Sequence, residues 1–508
     1  MHRLEPRGGW LRSAIAMLAV MGMAPSVSPA DEPRLNQMQV IGTHNSYHVA
    51  PAPAILDAIA GTSRRQAEGL DYSHPPFAEQ FSRQGIRQIE LDIFADPKGG
   101  LYAEPALRKT VRTRGKDPGP DPNADGQLLK HGMKLLHVQD ADFISRAATF
   151  VEALKQVKAW SRSNPRHVPI LILVEVKDGA IFGLPTQPPK FGRAELDAVD
   201  AEILSVFDRS EILTPDRVRG PAATLPEAIH SRGWPALEAV RGLVMFALDN
   251  EGAIRDRYIE GHPALKDRLM FVTASSPAAP EAAWFKVNDP IKDFDRIRKL
   301  VGDGFLVRTR ADADTRQSRT NDTTQRDKAL ASGAQFVSTD YPEPDRRFSD
   351  YRVGLPGGVV ARPNPVSGDP AWGNVDMESK KMGSSDDNKA LEGVWVPAEA
   401  ELAGEPMPEA VLKSITLKIS PGEYEVTVEG VPEPDRGTVT LDSAAEPKGM
   451  TITGVKGPNA SKTFPAIYEL KVDTLRVCYD LSGAKRPTEF KTSPGTKLFL
   501  ATYRRKKA

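Results

Sequence analysis

Through the first two thirds of the chain, short apolar and β-branched runs alternate with longer stretches of helical periodicity, the rhythm of repeated βα units. Eight runs read as strands: Met38 to Thr43, Ile86 to Phe94, Met133 to Val138, Pro169 to Val176, Leu243 to Leu248, Leu269 to Thr273, Phe305 to Thr309 and Gln335 to Thr339. Segments such as Phe150 to Ser161, Ala194 to Phe207 and Ile291 to Val301 carry a helical repeat between them. Eight such units predict an α/β fold, a TIM-type (β/α)8 barrel over residues 31–351. From Arg352 to Asn388 the pattern breaks into Pro-Gly-Gly, Pro-Asn-Pro and Gly-Ser-Ser clusters, which read as a linker over residues 352–388. Beyond it, short alternating runs recur from Ser414 to Tyr503, so residues 389–508 are expected to form a small antiparallel β-barrel or sandwich.

The N-terminus has a different pattern. Arg3, Arg7 and Arg12 precede an apolar run from about Ala14 to Ala24 that ends in Ser28-Pro29-Ala30. This reads as a signal peptide over residues 1–30, cleaved near Ala30, and the mature protein is expected to be exported, periplasmic or extracellular. The run falls far short of the ~20 residues that span a bilayer, and no later segment reaches that length, so no transmembrane anchor is expected in the mature chain.

Composition narrows the chemistry. The 508 residues hold 67 Lys+Arg and 67 Asp+Glu, a formal net charge of zero, so bulk attraction to nucleic acid is not built in and phosphate binding has to be local. Cys478 is the one cysteine, which excludes an intrachain disulfide and a thiolate metal cage. Any metal must therefore sit on oxygen or nitrogen ligands.

Polar residues interrupt the apolar strands at their C-terminal ends, where a barrel of this kind builds its active face. The first strand ends in Thr43-His44-Asn45-Ser46-Tyr47-His48. In the second, Glu90 and Asp92 share a face because side chains alternate, and two such carboxylates are costly without a neutralising cation. The third ends in His137-Val138-Gln139-Asp140, and in the fourth Glu175 and Lys177 share a face. Asn45, Glu90, Asp92 and Glu175 offer only oxygen, the donor set a hard cation such as Ca2+ or Mg2+ prefers. His48, just past the first motif, is placed to orient its neighbours.

With these motifs in this order, residues 38–345 resemble the calcium-dependent phosphoinositide-specific phospholipases C, in particular their secreted bacterial branch. The family's His-Asn falls on His44 and Asn45, its Glu-x-Asp on Glu90 and Asp92, its second histidine on His137 and its fourth-strand metal carboxylate on Glu175. The stretches Val307 to Thr315 and Ser338 to Tyr341 are also similar to that branch. The resemblance implies a phosphodiesterase in which the neighbouring inositol hydroxyl attacks phosphorus and diacylglycerol leaves. It implies Ca2+ on Asn45, Glu90, Asp92 and Glu175, with Mg2+ the lesser alternative, and His44 and His137 as the acid/base and phosphate-contacting pair. Lys177 and Arg308 are candidate phosphate or headgroup contacts. The substrate would be a phospholipid at a membrane surface.

Two other readings stay open on sequence. A glycerophosphodiester phosphodiesterase shares a barrel, a Glu-x-Asp and two histidines, although its first motif usually has Arg-Gly after the His, where Asn45-Ser46 stands here. A noncatalytic lipid or headgroup binder could keep the same metal site. Long loops on the active face carry Phe182, Leu184 and Phe191, and also Trp284 and Phe285, as candidate lipid-touching tips or as cover for their own loops.

Residues Leu391 to Arg504 resemble a lipocalin-like β-barrel module. Its Gly393-Val394-Trp395 is similar to the Gly-x-Trp that closes a lipocalin barrel floor, and Arg504 is expected to stack on Trp395.

Overall fold

The structure, a computed structural model, describes residues 33–506 except 374, 380–386, 421, 443–444, 446 and 472. The export-signal reading of residues 1–30 lies outside the described residues. Among the described residues, no helix is long and apolar enough to cross a membrane. Along the chain two compact units follow one another, divided after residue 382.

The first unit is a ring of parallel strands: β1 (Met38–Thr43), β2 (Gln88–Phe94), β3 (Ile170–Val176), β4 (Val244–Leu248), β5 (Met270–Val272), β6 (Trp284–Lys286), β7 (Leu306–Arg310) and β8 (Phe336–Thr339). Their hydrogen-bonded order is β5-β4-β3-β2-β1-β8-β7-β6, and a parallel bridge from Thr273 to Trp284 joins the two ends. Strands buried on both faces read as continuous apolar runs, and Ile170 to Val174 are all at zero exposure because helices cover the outside of the ring. The helix Phe150–Ser163 is one of these. Thr149 caps it by accepting from the Glu152 amide, while Glu152 reaches back to the Ala148 amide, and its Phe150, Ala153, Leu154 and Val157 face the core.

One expected barrel strand is not in the ring. Within Met133 to Val138 only Lys134–Leu135 is extended, and it pairs antiparallel with Ile93 and Phe94 at the end of β2. The chain then folds into a tight bend, with Val138 bridging Asp142 and Asp140 at φ +67°. The eighth place belongs to β6, which the sequence reading left inside a loop. Three residues are too short for any periodicity to register, yet Trp284 and Phe285 are buried, not exposed loop tips.

Part of the stretch read as a linker packs on the first unit. Ala361–Pro363 pairs antiparallel with β1, Val40 opposite Ala361 and Met38 opposite Pro363. β1 meets β2 only at Gly42 and Gln88, so the first half of β1 has an edge to offer, and residues 361–363 satisfy it. Gly42 is required at that meeting, since a Cβ there would lie 2.0 Å from the Gln88 side chain. Val353 and Met377 are buried in the same core, and Arg241 donates to the Met377 carbonyl at 2.7 Å.

The second unit is an antiparallel barrel. Among the described residues it has β9 (Gly393–Leu402), β10 (Ile415–Ser420), β11 (Glu423–Val428), β12 (Asp435–Asp442), β13 (Gly449–Lys456), β14 (Thr463–Lys471), β15 (Thr474–Asp480) and β16 (Leu498–Arg505). Each pairs with the next, and β9 pairs with β16 to close the ring and remove the edges. Tyr424, Phe464, Tyr479 and Tyr503 fill much of the interior, leaving a cavity of about 60 Å³. The cation stacked on Trp395 is Arg505, at 4.2 Å, and not Arg504. Register sets Arg505 directly opposite Trp395, so alternation turns Arg504 outward.

Candidate active site

Strand alternation and register assemble the acidic cluster. Glu90 and Asp92 point to the same side of β2, and Asp92 lies opposite Glu175 on β3. Lys177, just past β3, sets its ammonium 3.1 Å from Asp92 and 2.8 Å from Glu175. Asp249, which follows β4, joins the group: one oxygen each of Glu90, Glu175 and Asp249 lie within 4.8 Å of one another. Lys286 at the end of β6 pairs with Asp249 at 2.7 Å.

The electrostatics follow from burial. Glu90 and Asp92 are both buried, and burial raises each above the usual carboxylate range. Arg308 opposes the rise at Glu90, where Asp249 adds to it; Lys177 opposes it at Asp92, where Glu175 adds to it. Burial also disfavours the Lys177 charge, but Asp92 and Glu175 outweigh it and hold the ammonium above the usual Lys range.

Asn45 turns the chain away from β1 at φ +44°, a left-handed conformation that Asn tolerates, and the next amide, Ser46, bonds the Glu90 carbonyl at 3.0 Å. Among the described residues, Asn45 Oδ1, Asp92 Oδ1 and Asp249 Oδ1 are buried oxygens without a hydrogen-bond partner. Buried orphans of this kind are costly, and a hard cation satisfies them. The donor set therefore fits Ca2+, with Asn45, Glu90, Asp92 and Glu175 as the residues that would hold it and Asp249 beside them.

His44 lies between this cluster and a second acid. Its Nδ1 meets Asp340 at 2.8 Å, its Nε2 is 3.8 Å from Glu90, and guanidinium nitrogens of Arg310 lie 3.2 Å from both ring nitrogens. Burial, with Arg310 beside it, pushes His44 well below its ordinary value despite Asp340. The neutral imidazole is the resting form.

Of the two expected substrate-binding residues, Lys177 stands at the cluster and Arg308 does not face outward. Arg308 is 1% exposed and spends its donors inside the barrel, on Glu90, on Asn288 at 2.6 Å and on Ser338 at 3.1 Å. Arg310, two residues along the same face, is the guanidinium that reaches His44. The rule of polar residues after barrel strands would have found Arg310, Asp249 and Asp340.

His137 is a quarter exposed in the bend after Lys134–Leu135, with Nδ1 2.8 Å from Asp142. No spacing in the sequence marks Asp142 as its partner, because the contact depends on the 137–142 bend. Phe182 and Ile181, in the loop after β3, are exposed, whereas Phe191 is buried and Leu184 half-buried.

Residues 33–365 match the family model described as phosphoinositide phospholipase C, Ca2+-dependent. Among solved structures, a calcium-dependent phosphoinositol-specific phospholipase C from a Gram-negative Pseudomonas species is similar at 14% identity and a TM-score of 0.40, covering 66% of this chain and 98% of that one. A Ca2+-dependent phosphatidylinositol-specific phospholipase C from Streptomyces antibioticus is similar at 17% identity and a TM-score of 0.36, covering 61% and 95%. No curated protein matches.

Proposed function

As this chain belongs to the Ca2+-dependent phosphoinositide phospholipase C family, a family of phosphodiesterases, we propose that it cleaves phosphatidylinositol at the glycerol-phosphate bond, releasing diacylglycerol and an inositol phosphate that passes through the cyclic form. The observation that carries this reading is His44: held neutral, tied to Asp340 through Nδ1, with its Nε2 3.8 Å from Glu90 in the acidic cluster.

Calcium bound by Asn45, Glu90, Asp92 and Glu175 would supply acidification of the attacking inositol hydroxyl and charge stabilisation of the phosphoryl transition state. His44 acts as the base. With Nδ1–H donated to Asp340, its Nε2 lone pair takes the hydroxyl proton; the Arg310 charge beside it, 3.2 Å from Nε2, keeps that nitrogen unprotonated beforehand and yields the contact as the hydroxyl arrives. Arg310 then contacts the phosphoryl oxygens, as a guanidinium fork suits. Arg308 neutralises Glu90 from within the barrel. His137 acts as the acid, its Nδ1 fixed by Asp142 so that Nε2 delivers the proton to the departing diacylglycerol oxygen.

Phe182 and Ile181 support contact with a lipid surface beside the site, and the Arg3 to Ala30 pattern supports export before the protein meets that surface. The test is incubation of the mature protein with phosphatidylinositol vesicles in Ca2+, in Mg2+ and in EDTA, with products followed by ³¹P NMR. Calcium-dependent inositol phosphate is expected. Release of glycerol phosphate from glycerophosphodiesters, with intact phosphatidylinositol untouched, would overturn the substrate assignment.

A further inference from the structure

His48 is fully buried, and each of its ring nitrogens faces an acceptor. Nδ1 lies 3.1 Å from the Tyr72 carbonyl oxygen, and Nε2 lies 2.8 Å from Asp142 Oδ2. A backbone carbonyl cannot donate, and an ionised carboxylate cannot either, so both contacts are hydrogen bonds only if both nitrogens carry a proton. Burial alone would protonate Asp142, but His48 first, and then His137, hold its carboxyl well below the ordinary range, so it is the carboxylate partner.

The same oxygen serves a second imidazole. Asp142 Oδ2 accepts from His137 Nδ1 at 2.8 Å, and the two rings stand edge to face with centroids 5.9 Å apart. The Tyr72 ring stacks on His48 at 4.4 Å, which fixes the ring plane. The other titratable groups around the trio are Tyr47, Tyr72 and His74, all kept neutral by burial, with Arg146 beyond His74.

We infer that His48 is a positioning residue: its ring, held between the Tyr72 carbonyl and Asp142, locks the Asp142 carboxyl in place, and Asp142 in turn fixes the His137 ring with Nδ1 on that carboxyl and Nε2 directed to the reaction. A carboxyl held from its far side cannot swing with the 137–142 bend, so the His137 ring keeps one orientation. The inference rests on the reading of His137 as the acid and deepens it.

The test starts with the wild-type full chain, ¹⁵N-labelled at histidine, because this measurement does not depend on turnover. The Nε2–H of His48 and the Nδ1–H of His137 are both expected to be hydrogen-bonded to Asp142 and slow to exchange with water. A His48 Nε2 without that proton overturns the inference, whatever the enzyme's activity. Second, His48→Gln keeps a donor to Asp142 and His48→Ala removes it. The kcat of His48→Ala is expected to fall about tenfold with KM within about twofold, and His48→Gln to recover to within about threefold of wild type. An equal loss of kcat in the two variants overturns the inference. If the wild-type spectrum is as expected and the protein does not cleave phosphatidylinositol, it is the functional reading that fails.

Discussion

The ammonium of Lys177 lies 2.8 Å from Glu175, a contact that puts the chain's own cation on a carboxylate proposed to hold calcium. Lys177 also reaches Asp92 at 3.1 Å, so it must yield part of both contacts when a divalent ion enters. Replacing Lys177→Met removes the competitor. Calcium affinity measured by titration calorimetry is expected to tighten about tenfold, equivalent to ~1.4 kcal/mol. Weaker or unchanged binding would mean that Lys177 supports the site instead of competing for it.

His44 depends on Asp340 for its tautomer. Asp340→Asn leaves a group that can turn its amide donor to Nδ1 and displace the proton to Nε2, where the base is needed. A loss of kcat of about 100-fold or more is expected, with calcium affinity within about twofold of wild type. Near-normal turnover in this variant would remove His44 from the role of base.

The exposed pair Ile181 and Phe182 gives the lipid-surface reading a direct check. Burying one such side chain in a membrane contributes about 1.5–3 kcal/mol, so Phe182→Ser is expected to lower vesicle binding in co-sedimentation by about tenfold or more. Hydrolysis of a soluble, short-chain substrate should stay within about twofold, since the Phe182 side chain is fully exposed. An equal loss on both substrates would contradict the interfacial role.

Acid should destabilise the barrel through His74. Burial lowers this histidine from 6.5 to about 4, against Asp340, while its Nε2 donates to the His44 carbonyl at 2.9 Å. A histidine lowered in the fold binds its proton more readily when unfolded, so stability is complete above pH 6.5 and is lost as pH falls toward about 4. At about 1.4 kcal/mol per pH unit, its share is ~3 kcal/mol. Thermal melts across this range should fall less steeply for His74→Gln than for wild type; parallel curves would assign the acid lability elsewhere.

In the second barrel, Arg505 stacks on Trp395 and donates to the Glu392 carbonyl at 2.6 Å, whereas Arg504 is exposed. Arg505→Ala is expected to cost about 1–2 kcal/mol and Arg504→Ala less than about 0.5 kcal/mol. Hydrogen exchange over residues 393–402 and 498–505 of the full chain reads the difference. Equal protection in the two variants would show that the stack adds nothing.

The sequence by itself determined the units with long, regular patterns. Seven of the eight barrel strands were visible because a strand buried on both faces must be apolar throughout, and the second barrel because its strands alternate. His44, Asn45, Glu90, Asp92 and Glu175 stood out for the related reason that a polar or charged group at the end of an apolar strand is costly without a partner. Tertiary structure decided what depends on distance in space. Trp284–Lys286 enters the ring although three residues carry no period, and residues 361–363 pair with β1 because its edge was open. Only register separates Arg505 from Arg504 at Trp395, and only the 137–142 bend brings Asp142 within 2.8 Å of both His48 and His137. Local pattern records which side chains must be buried or solvated; partners far apart in the chain leave no mark on it until the fold places them together.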